Sequence, residues 1–399
     1  MTLFLLVSLS LIAVAWSADT TNFTVSGRKI MFSSSTTTPP APPVVFKLRG
    51  FSYGNARIGE GAQDDSQSAG TDSLSNPDVC QQDFALMAKY NVNALKLYAF
   101  NVLAPNSQSL HTTCLDAAWV NKIFISLSVW IPSLPFASEE VRNFTASRYA
   151  TMVSQTMHHP AVFAYSIGSE MGGDPQNNPT YWQDYNIIAQ TIKDTLQSGG
   201  AQKLITTAVY QLDCTSGCNP PVPVLAHVIS GEKYGAIVDV WGVDVYSPDP
   251  DEPNLRANIF AATKRPFVFP EYGVTFQPPN DTPAQGAAEL ALIQKMETYS
   301  FDGTNGDSND GPVYNASAPI YAGGLVFEWN DEYWKGNDNC APNPGTAQPW
   351  YGVNAVALRA GCTCPGSFDG ACATNERVPR AVLNANMLPT VWSTYEPKF

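Results

Sequence analysis

Two glutamates that follow short apolar runs, about a hundred residues apart, are the first candidates for chemistry in this sequence. Glu170 comes after the run 163–167, and Glu271 closes the run 265–269. Two carboxyl groups about 5–5.5 Å apart, one protonated and one ionised, cleave a glycosidic bond with retention of configuration. We therefore expect Glu170 to be the acid/base and Glu271 the nucleophile. The alternative, a surface charge on a loop, is less favoured because glutamate is unusual at the end of an apolar strand.

Aromatic residues at the predicted strand ends are candidates for sugar contacts. Trp130 and Trp329 end the third and eighth predicted strands, where an indole face can stack on a pyranose ring. Asp331 and Glu332 follow Trp329 and offer further carboxylates, which we rank behind the two glutamates of the apolar runs. The histidines have no metal-ligand spacing, so we expect neither a metal nor a cofactor.

The positioning elements are strands and helices that alternate along the chain from residue 44. Apolar strands are predicted at 44–53, 94–100, 123–130, 162–168, 204–210, 238–246, 266–269 and 320–329, and helical patterns include 80–90, 139–157, 182–196 and 283–299. This alternation predicts a parallel sheet, and eight repeats close most naturally into a single (β/α)8 barrel. Catalytic residues of such barrels lie at the carboxyl ends of the strands, so both glutamates are expected at one mouth.

The two ends of the chain have different patterns. An apolar, uncharged start over 1–17 is typical of a signal peptide. Residues 18–43 are interpreted as a hairpin and a Ser/Thr/Pro-rich segment, residues 44–337 as the catalytic barrel, and residues 338–399 as a cysteine-containing extension packed on the barrel.

Composition favours an extracellular protein. The chain has eight cysteines, four Asn-x-Ser/Thr sequons and 14% charged residues, which together are typical of a secreted, disulfide-bonded glycoprotein. A formal net charge of −13 argues against nucleic acid or anionic membrane partners. We expect a monomer, without stable membrane insertion, that acts on a neutral polymer.

Short motifs at the strand ends carry a family resemblance. They are Lys47-Leu48-Arg49-Gly50-Phe51-Ser52-Tyr53, Leu97-Tyr98-Ala99, Gly168-Ser169-Glu170, Gly242-Val243-Asp244-Val245-Tyr246, Glu271-Tyr272-Gly273 and Gly323-Gly324-Leu325-Val326-Phe327. Through them the chain resembles the retaining barrel glycosidases and, among these, glycoside hydrolase family 72, the fungal-type β-1,3-glucanosyltransferases.

The resemblance implies roles for further residues. It implies that Tyr246 hydrogen-bonds the nucleophile and that Tyr53 and Tyr98 contact sugar. It also implies a disulfide between Cys80 and Cys114.

Three positions depart from the family pattern. Ser169 stands in the substrate subsite where the superfamily has an asparagine that contacts the sugar 2-hydroxyl. Pro270 replaces a small polar residue, and Trp329 stands where the family has a tyrosine.

The expected function is double displacement on a β-linked polysaccharide, most simply β-1,3-glucan of a cell wall, followed by hydrolysis or transfer. An endo-β-mannanase or another β-glucanase of the same superfamily is the alternative within this class. A non-catalytic carbohydrate-binding wall protein is the alternative outside it.

Overall fold

The chain folds into a closed barrel of parallel strands wrapped by helices. The computed structural model describes residues 21–34, 42–54, 72–103, 107–131, 133–169, 178–210, 225–246, 249–275, 283–304, 308–331, 351–358, 373–384 and 387–392. The predicted signal peptide, Glu170 and six of the eight cysteines lie outside the described residues. No helix in these ranges is long and apolar enough to cross a membrane.

A small antiparallel sheet precedes the barrel and covers its lower end. It consists of β1 (Thr21–Ser26), β2 (Lys29–Ser34) and β3 (Val44–Val45). Gly27 has a φ of +57° in the tight turn between β1 and β2, a conformation that favours glycine. The ring of Phe23 lies 5.1 Å from that of Phe46 and 5.0 Å from that of Phe124, at the amino end of a barrel strand. The predicted N-terminal hairpin is therefore confirmed.

The barrel strands follow one another around the sheet in chain order. They are β4 (Leu48–Tyr53), β5 (Ala94–Leu97), β6 (Phe124–Leu127), β7 (Val162–Ile167), β8 (Leu204–Thr207) with its short continuation β9 (Val209–Tyr210), β10 (Trp241–Asp244), β11 (Phe267–Tyr272) and β12 (Gly323–Val326). All neighbouring pairs are parallel, and β12 pairs with β4. Pairing of Val209 with Val243 joins β9 to β10 and closes the ring. The predicted (β/α)8 barrel is confirmed.

Helices wrap the barrel, and several of them begin at a residue whose side chain caps the first turn. They are α1 (Pro77–Ala88), α2 (Ser107–Val120), α3 (Glu139–Thr156), α4 (Pro179–Gly199), α5 (Ala226–Tyr234), α6 (Pro253–Ala262) and α7 (Pro283–Tyr299). Asn76 and Asn178 accept hydrogen bonds from the first-turn amides of α1 and α4, each followed by a proline. These caps start both helices three residues before the positions that apolar periodicity alone predicts.

The described parts of the C-terminal extension contact the carboxyl end of the barrel. They contain β13 (Asn354–Leu358), β14 (Ala373–Pro379), α8 (Ala381–Asn384) and α9 (Met387–Trp392). The amide of Glu328 donates to the Tyr351 carbonyl at 3.1 Å, and the amide of Asn354 donates to the Trp329 carbonyl at 3.1 Å. A buried ion pair between Arg380 and Asp331 lies beside these bonds. The described parts of the extension therefore pack against the segment that follows β12.

The disulfide implied by the family resemblance is present. Cys80 of α1 and Cys114 of α2 are bonded, with their Cα atoms 5.5 Å apart. Both side chains are fully buried, so the bond joins the two helices within the core.

Candidate active site

Glu271 lies near the carboxyl end of β11 with only 3% of its surface exposed. Its Oε1 accepts a hydrogen bond from Lys96 Nζ at 2.7 Å, and its Oε2 accepts one from the Tyr246 hydroxyl at 2.9 Å. The backbone is fixed too, because the Val245 amide donates to the Glu271 carbonyl at 2.9 Å. Both side-chain donors favour the carboxylate over the carboxylic acid. This is the arrangement that a nucleophilic carboxylate needs.

Lys96 is the buried centre of the site, and the sequence analysis did not identify it. It is 2% exposed on β5, and its Nζ also donates to Ser169 Oγ at 3.1 Å. The same nitrogen lies 3.8 Å from Asp244 Oδ2 and 4.7 Å from the centre of the Tyr98 ring. One ammonium thus connects residues on or just after β5, β7, β10 and β11. The sequence did contain a signal that Lys96 belongs to a site. It lies within the apolar strand Ala94–Leu97, and a buried charge requires a partner of opposite charge.

An aromatic group lies beside Glu271. The Tyr246 ring lies 6.0 Å from the Phe327 ring and 5.5 Å from the Tyr351 ring, and Phe327 lies 5.3 Å from Tyr351. Tyr98 approaches Phe327 from the other side at 6.4 Å. Tyr246 remains 37% exposed, so this aromatic wall (Tyr98, Tyr246, Phe327 and Tyr351) reaches solvent. Aromatic faces beside a carboxylate suit the binding of a sugar ring.

Comparisons with known proteins give a family resemblance and a shared fold. Residues 12–198 match the family model for the glycoside hydrolase family 72 glucanosyltransferases. The chain is also similar to the structure of Saccharomyces cerevisiae Gas2p in complex with laminaripentaose, with 15% identity, a TM-score of 0.57 and coverage of 95% of this chain and 70% of that one. The chain is thus similar to the family 72 glucanosyltransferases over residues 12–198, and it shares its (β/α)8 barrel with Gas2p. A comparison with curated protein sequences gave no match.

A second similar structure shows how widely the barrel is shared. It is a GH2 β-galacturonidase from Eisenbergiella tayi bound to galacturonate, with 12% identity and a TM-score of 0.58. The alignment covers 95% of this chain and 55% of that enzyme, so the GH72-like chain spans little more than half of its length. At this identity, the likeness describes the fold alone.

Two aromatic residues predicted as sugar contacts lie in the core of this GH72-like barrel. Tyr53 is fully buried, and its hydroxyl donates to Asp83 Oδ2 at 3.0 Å. Trp329 is also fully buried, with its ring 5.1 Å from that of Phe51. Phe51 in turn packs on Trp392 of α9, at 5.9 Å. Both predicted residues therefore support the mouth from behind, and neither presents a ring face to solvent.

The other predicted site residues are distributed as follows. Tyr98 and Tyr246 belong to the aromatic wall, and Ser169 contacts Lys96. Trp130 is half-buried beyond the end of β6, where its carbonyl accepts from Arg148 Nη1 at 3.4 Å. Glu170 lies outside the described residues, so its role and its separation from Glu271 stay predictions.

A cavity of about 20 Å³ lies in the barrel interior beneath Lys96. Its lining residues include Ser126, Ser166, Thr206 and Thr207, but the surface that faces the cavity is almost entirely apolar. Volume alone does not hold a water molecule, which also needs polar partners. The polar surroundings of the Lys96 ammonium are therefore Glu271, Asp244 and Ser169.

A second buried carboxyl group lies behind the strand that carries Glu271. Glu289 of α7 is fully buried, and burial raises its pKa to about 8, although a hydrogen bond from the Val274 amide opposes the shift. Burial also raises the pKa of the neighbouring Tyr272 well above its usual value, with the charge of Glu289 as a second cause. Glu289 therefore carries a proton at neutral pH.

Proposed function

We propose that this GH72-like protein cleaves β-1,3-glucan chains and transfers the piece that stays bound to the enzyme to another glucan chain, through a covalent glycosyl-Glu271 intermediate. The observation that carries the proposal is the setting of Glu271: a buried carboxylate with Lys96 on one oxygen, Tyr246 on the other, and aromatic rings beside it. The family-model match to glucanosyltransferases and the laminaripentaose bound to the similar Gas2p support the choice of substrate.

In the first step, a carboxylate oxygen of Glu271 attacks the anomeric carbon. The bond between that carbon and the glycosidic oxygen breaks, and Glu170 gives its proton to the leaving oxygen. Lys96 and Tyr246 fix the orientation of the attacking group, so that little motion is needed to reach the transition state. The products of this step are a shortened glucan chain and a glycosyl ester on Glu271.

In the second step, a hydroxyl group at the end of another glucan chain attacks the same anomeric carbon. Glu170, now a carboxylate, takes the hydroxyl proton, and the ester bond to Glu271 breaks. Water in place of the sugar hydroxyl gives hydrolysis. We propose that the aromatic wall holds the acceptor sugar and so favours transfer, with Tyr351 as the contribution of the extension 338–399 to the catalytic unit 44–337.

We propose further that the protein is secreted and acts on wall polysaccharide. The sequon residues Asn22 and Asn143 are exposed in the structure, as a glycan requires. Removal of N-glycans from the protein purified from culture medium should lower its mass. A protein that stays in the cell and carries no glycan would contradict this localisation.

The test of the activity is product analysis with a reduced laminarin-type β-1,3-oligosaccharide. The wild-type protein is expected to give products both longer and shorter than the substrate, whereas Glu170→Gln and Glu271→Gln give neither. Shorter products alone would show a hydrolase. No reaction on this substrate or on a panel of β-glucans and mannans would overturn the proposal in favour of a binding protein.

A further inference from the structure

The backbone that follows Glu271 leaves the barrel sheet at a defined point. The amide of Phe327, just after β12, donates to the Tyr272 carbonyl at 2.8 Å, and among the described residues this is the last such bond to the stretch that follows Glu271. At Gly273, a Cβ atom would lie 2.8 Å from the Phe327 carbonyl oxygen and 3.3 Å from Glu289 Oε2. The chain at Gly273 therefore passes between β12 and a side chain of α7, too closely for any residue larger than glycine.

Beyond Gly273, two side chains of α7 replace the sheet as hydrogen-bond partners. Glu289 Oε2 accepts from the Val274 amide at 2.8 Å, and Gln285 Nε2 donates to the Thr275 carbonyl at 3.3 Å. Residues four apart lie on one face of a helix, so both side chains reach the same stretch. Glu289 therefore binds the backbone N–H of Val274, and Gln285 binds the backbone carbonyl of the next residue, Thr275.

We propose that Glu289 and Gln285 form a clamp that positions the nucleophile Glu271 through the backbone of residues 273–275. Its consequence for catalysis rests on the proposed function, in which Glu271 attacks the anomeric carbon. Glu289 touches neither substrate nor reacting atoms, so it is a positioning residue.

The chemistry of Glu289 supports a positioning role over simple core filling. A fully buried carboxyl group costs free energy that an apolar side chain of similar size avoids. Within the described part of the chain, its hydrogen bonding is to the Val274 amide alone. The protonated state of Glu289 at neutral pH makes glutamine its closest isostere, with the same acceptor oxygen available to Val274.

The experiment compares Glu289→Gln, Glu289→Leu and Gln285→Ala in the full chain. A remote variant, Thr156→Val, serves as a matched control because it removes the buried hydrogen bond between Thr156 and Tyr165 at 2.9 Å. Hydrogen exchange of the peptide that covers 267–275 is measured together with kcat and KM for the laminarin-type substrate.

In Glu289→Leu, we expect faster exchange of this peptide and a kcat lowered about tenfold to a hundredfold, the cost of a misplaced catalytic group, with KM little changed. Glu289→Gln should retain the exchange rate and kcat of the wild type. Gln285→Ala should give values of both between those of the wild type and Glu289→Leu. Thr156→Val should lower stability without changing the exchange of 267–275 or kcat. If Glu289→Leu does not fold, Glu289→Asp replaces it, since its shorter side chain withdraws the carboxyl group from Val274.

Two results would overturn the clamp. One is Glu289→Leu with wild-type exchange over 267–275, and the other is a kcat loss in Thr156→Val equal to that in Glu289→Leu. If the wild-type protein shows no activity on any glucan, the proposed function fails, whereas the exchange data still decide whether the clamp exists.

Discussion

The proton on Glu289 makes stability depend on pH in a way that one substitution should remove. The pKa of this carboxyl group rises from 4.5 to about 8 on folding, because the folded protein buries it. The folded state therefore binds the proton more tightly than the unfolded state. The contribution of this group is fully present below pH 4.5 and is lost progressively as the pH rises towards 8, with no further change above that.

The size of the effect follows from the two values. Each pH unit between them lowers the free energy of unfolding by about 1.4 kcal/mol, so about 3 kcal/mol is lost between pH 4.5 and pH 7. In Glu289→Gln the group is neutral in both states, and this loss disappears. The stability of the variant relative to the wild type should thus rise by about 3 kcal/mol over this interval, or about 4 °C in Tm for a chain of this length.

The assay is thermal or denaturant unfolding of both proteins at several pH values from 4.5 to 9. Any fixed cost of the amide group shifts all points equally, so the slope of the difference is diagnostic. The adjacent Tyr272 does not titrate in this interval, because its own pKa is raised. Stability curves that run parallel for the two proteins between pH 4.5 and pH 7 would refute the reasoning.

Three further predictions concern the groups around Glu271. Lys96→Met should lower kcat about a hundredfold or more and reduce stability, because it leaves a buried carboxylate without its cation. Steady-state kinetics checks this, with Lys96→Arg as the charge-conserving control. Equal losses of kcat in both variants would contradict the prediction. Tyr246→Phe should lower kcat/KM about tenfold or more through loss of one hydrogen bond to a charged group, and an unchanged value would exclude the bond from catalysis. Tyr351→Ala should shift the products from transfer towards hydrolysis with Glu271 chemistry intact, measured as the ratio of longer to shorter oligosaccharides, and an unchanged ratio would remove this ring from the acceptor site.

The barrel was predictable because its signals are local. Each strand is an apolar run and the helices have their own period, several with a side-chain cap as well, so their order along the chain already indicates a parallel closed sheet. The position of Glu271 near the carboxyl end of β11 was predictable for the same reason, whereas its role as the nucleophile stays a prediction. The disulfide followed from the family resemblance, because spacing alone leaves the pairing of eight cysteines open.

The residues that the sequence analysis missed or misplaced depend on contacts between distant segments. Lys96 gains its meaning only beside Glu271, 175 positions away. Trp329 has the residue type and the strand-end position of a sugar-stacking residue, but its ring packs on Phe51 in the core behind the mouth. Tyr351 lies at the mouth because the extension is hydrogen-bonded to the segment after β12. The hydrophobic periodicity of the sequence does not predict this contact. Local sequence patterns predict strands and helices, whereas the burial of a side chain depends on which distant segments pack over it.

The charges around Lys96 suit the change that the proposed reaction would impose on the site. Formation of the glycosyl ester removes the negative charge of Glu271, and a buried ammonium left alone would be costly. Asp244 lies 3.8 Å from the same nitrogen and is itself buried, so the ammonium keeps a counter-charge throughout the proposed reaction. Glu271 holds the closer position, at 2.7 Å, and therefore the stronger interaction while it is ionised. In the proposed reaction, Lys96 thus orients Glu271 before attack and remains paired after it, which a site with only one carboxylate beside Lys96 would not achieve.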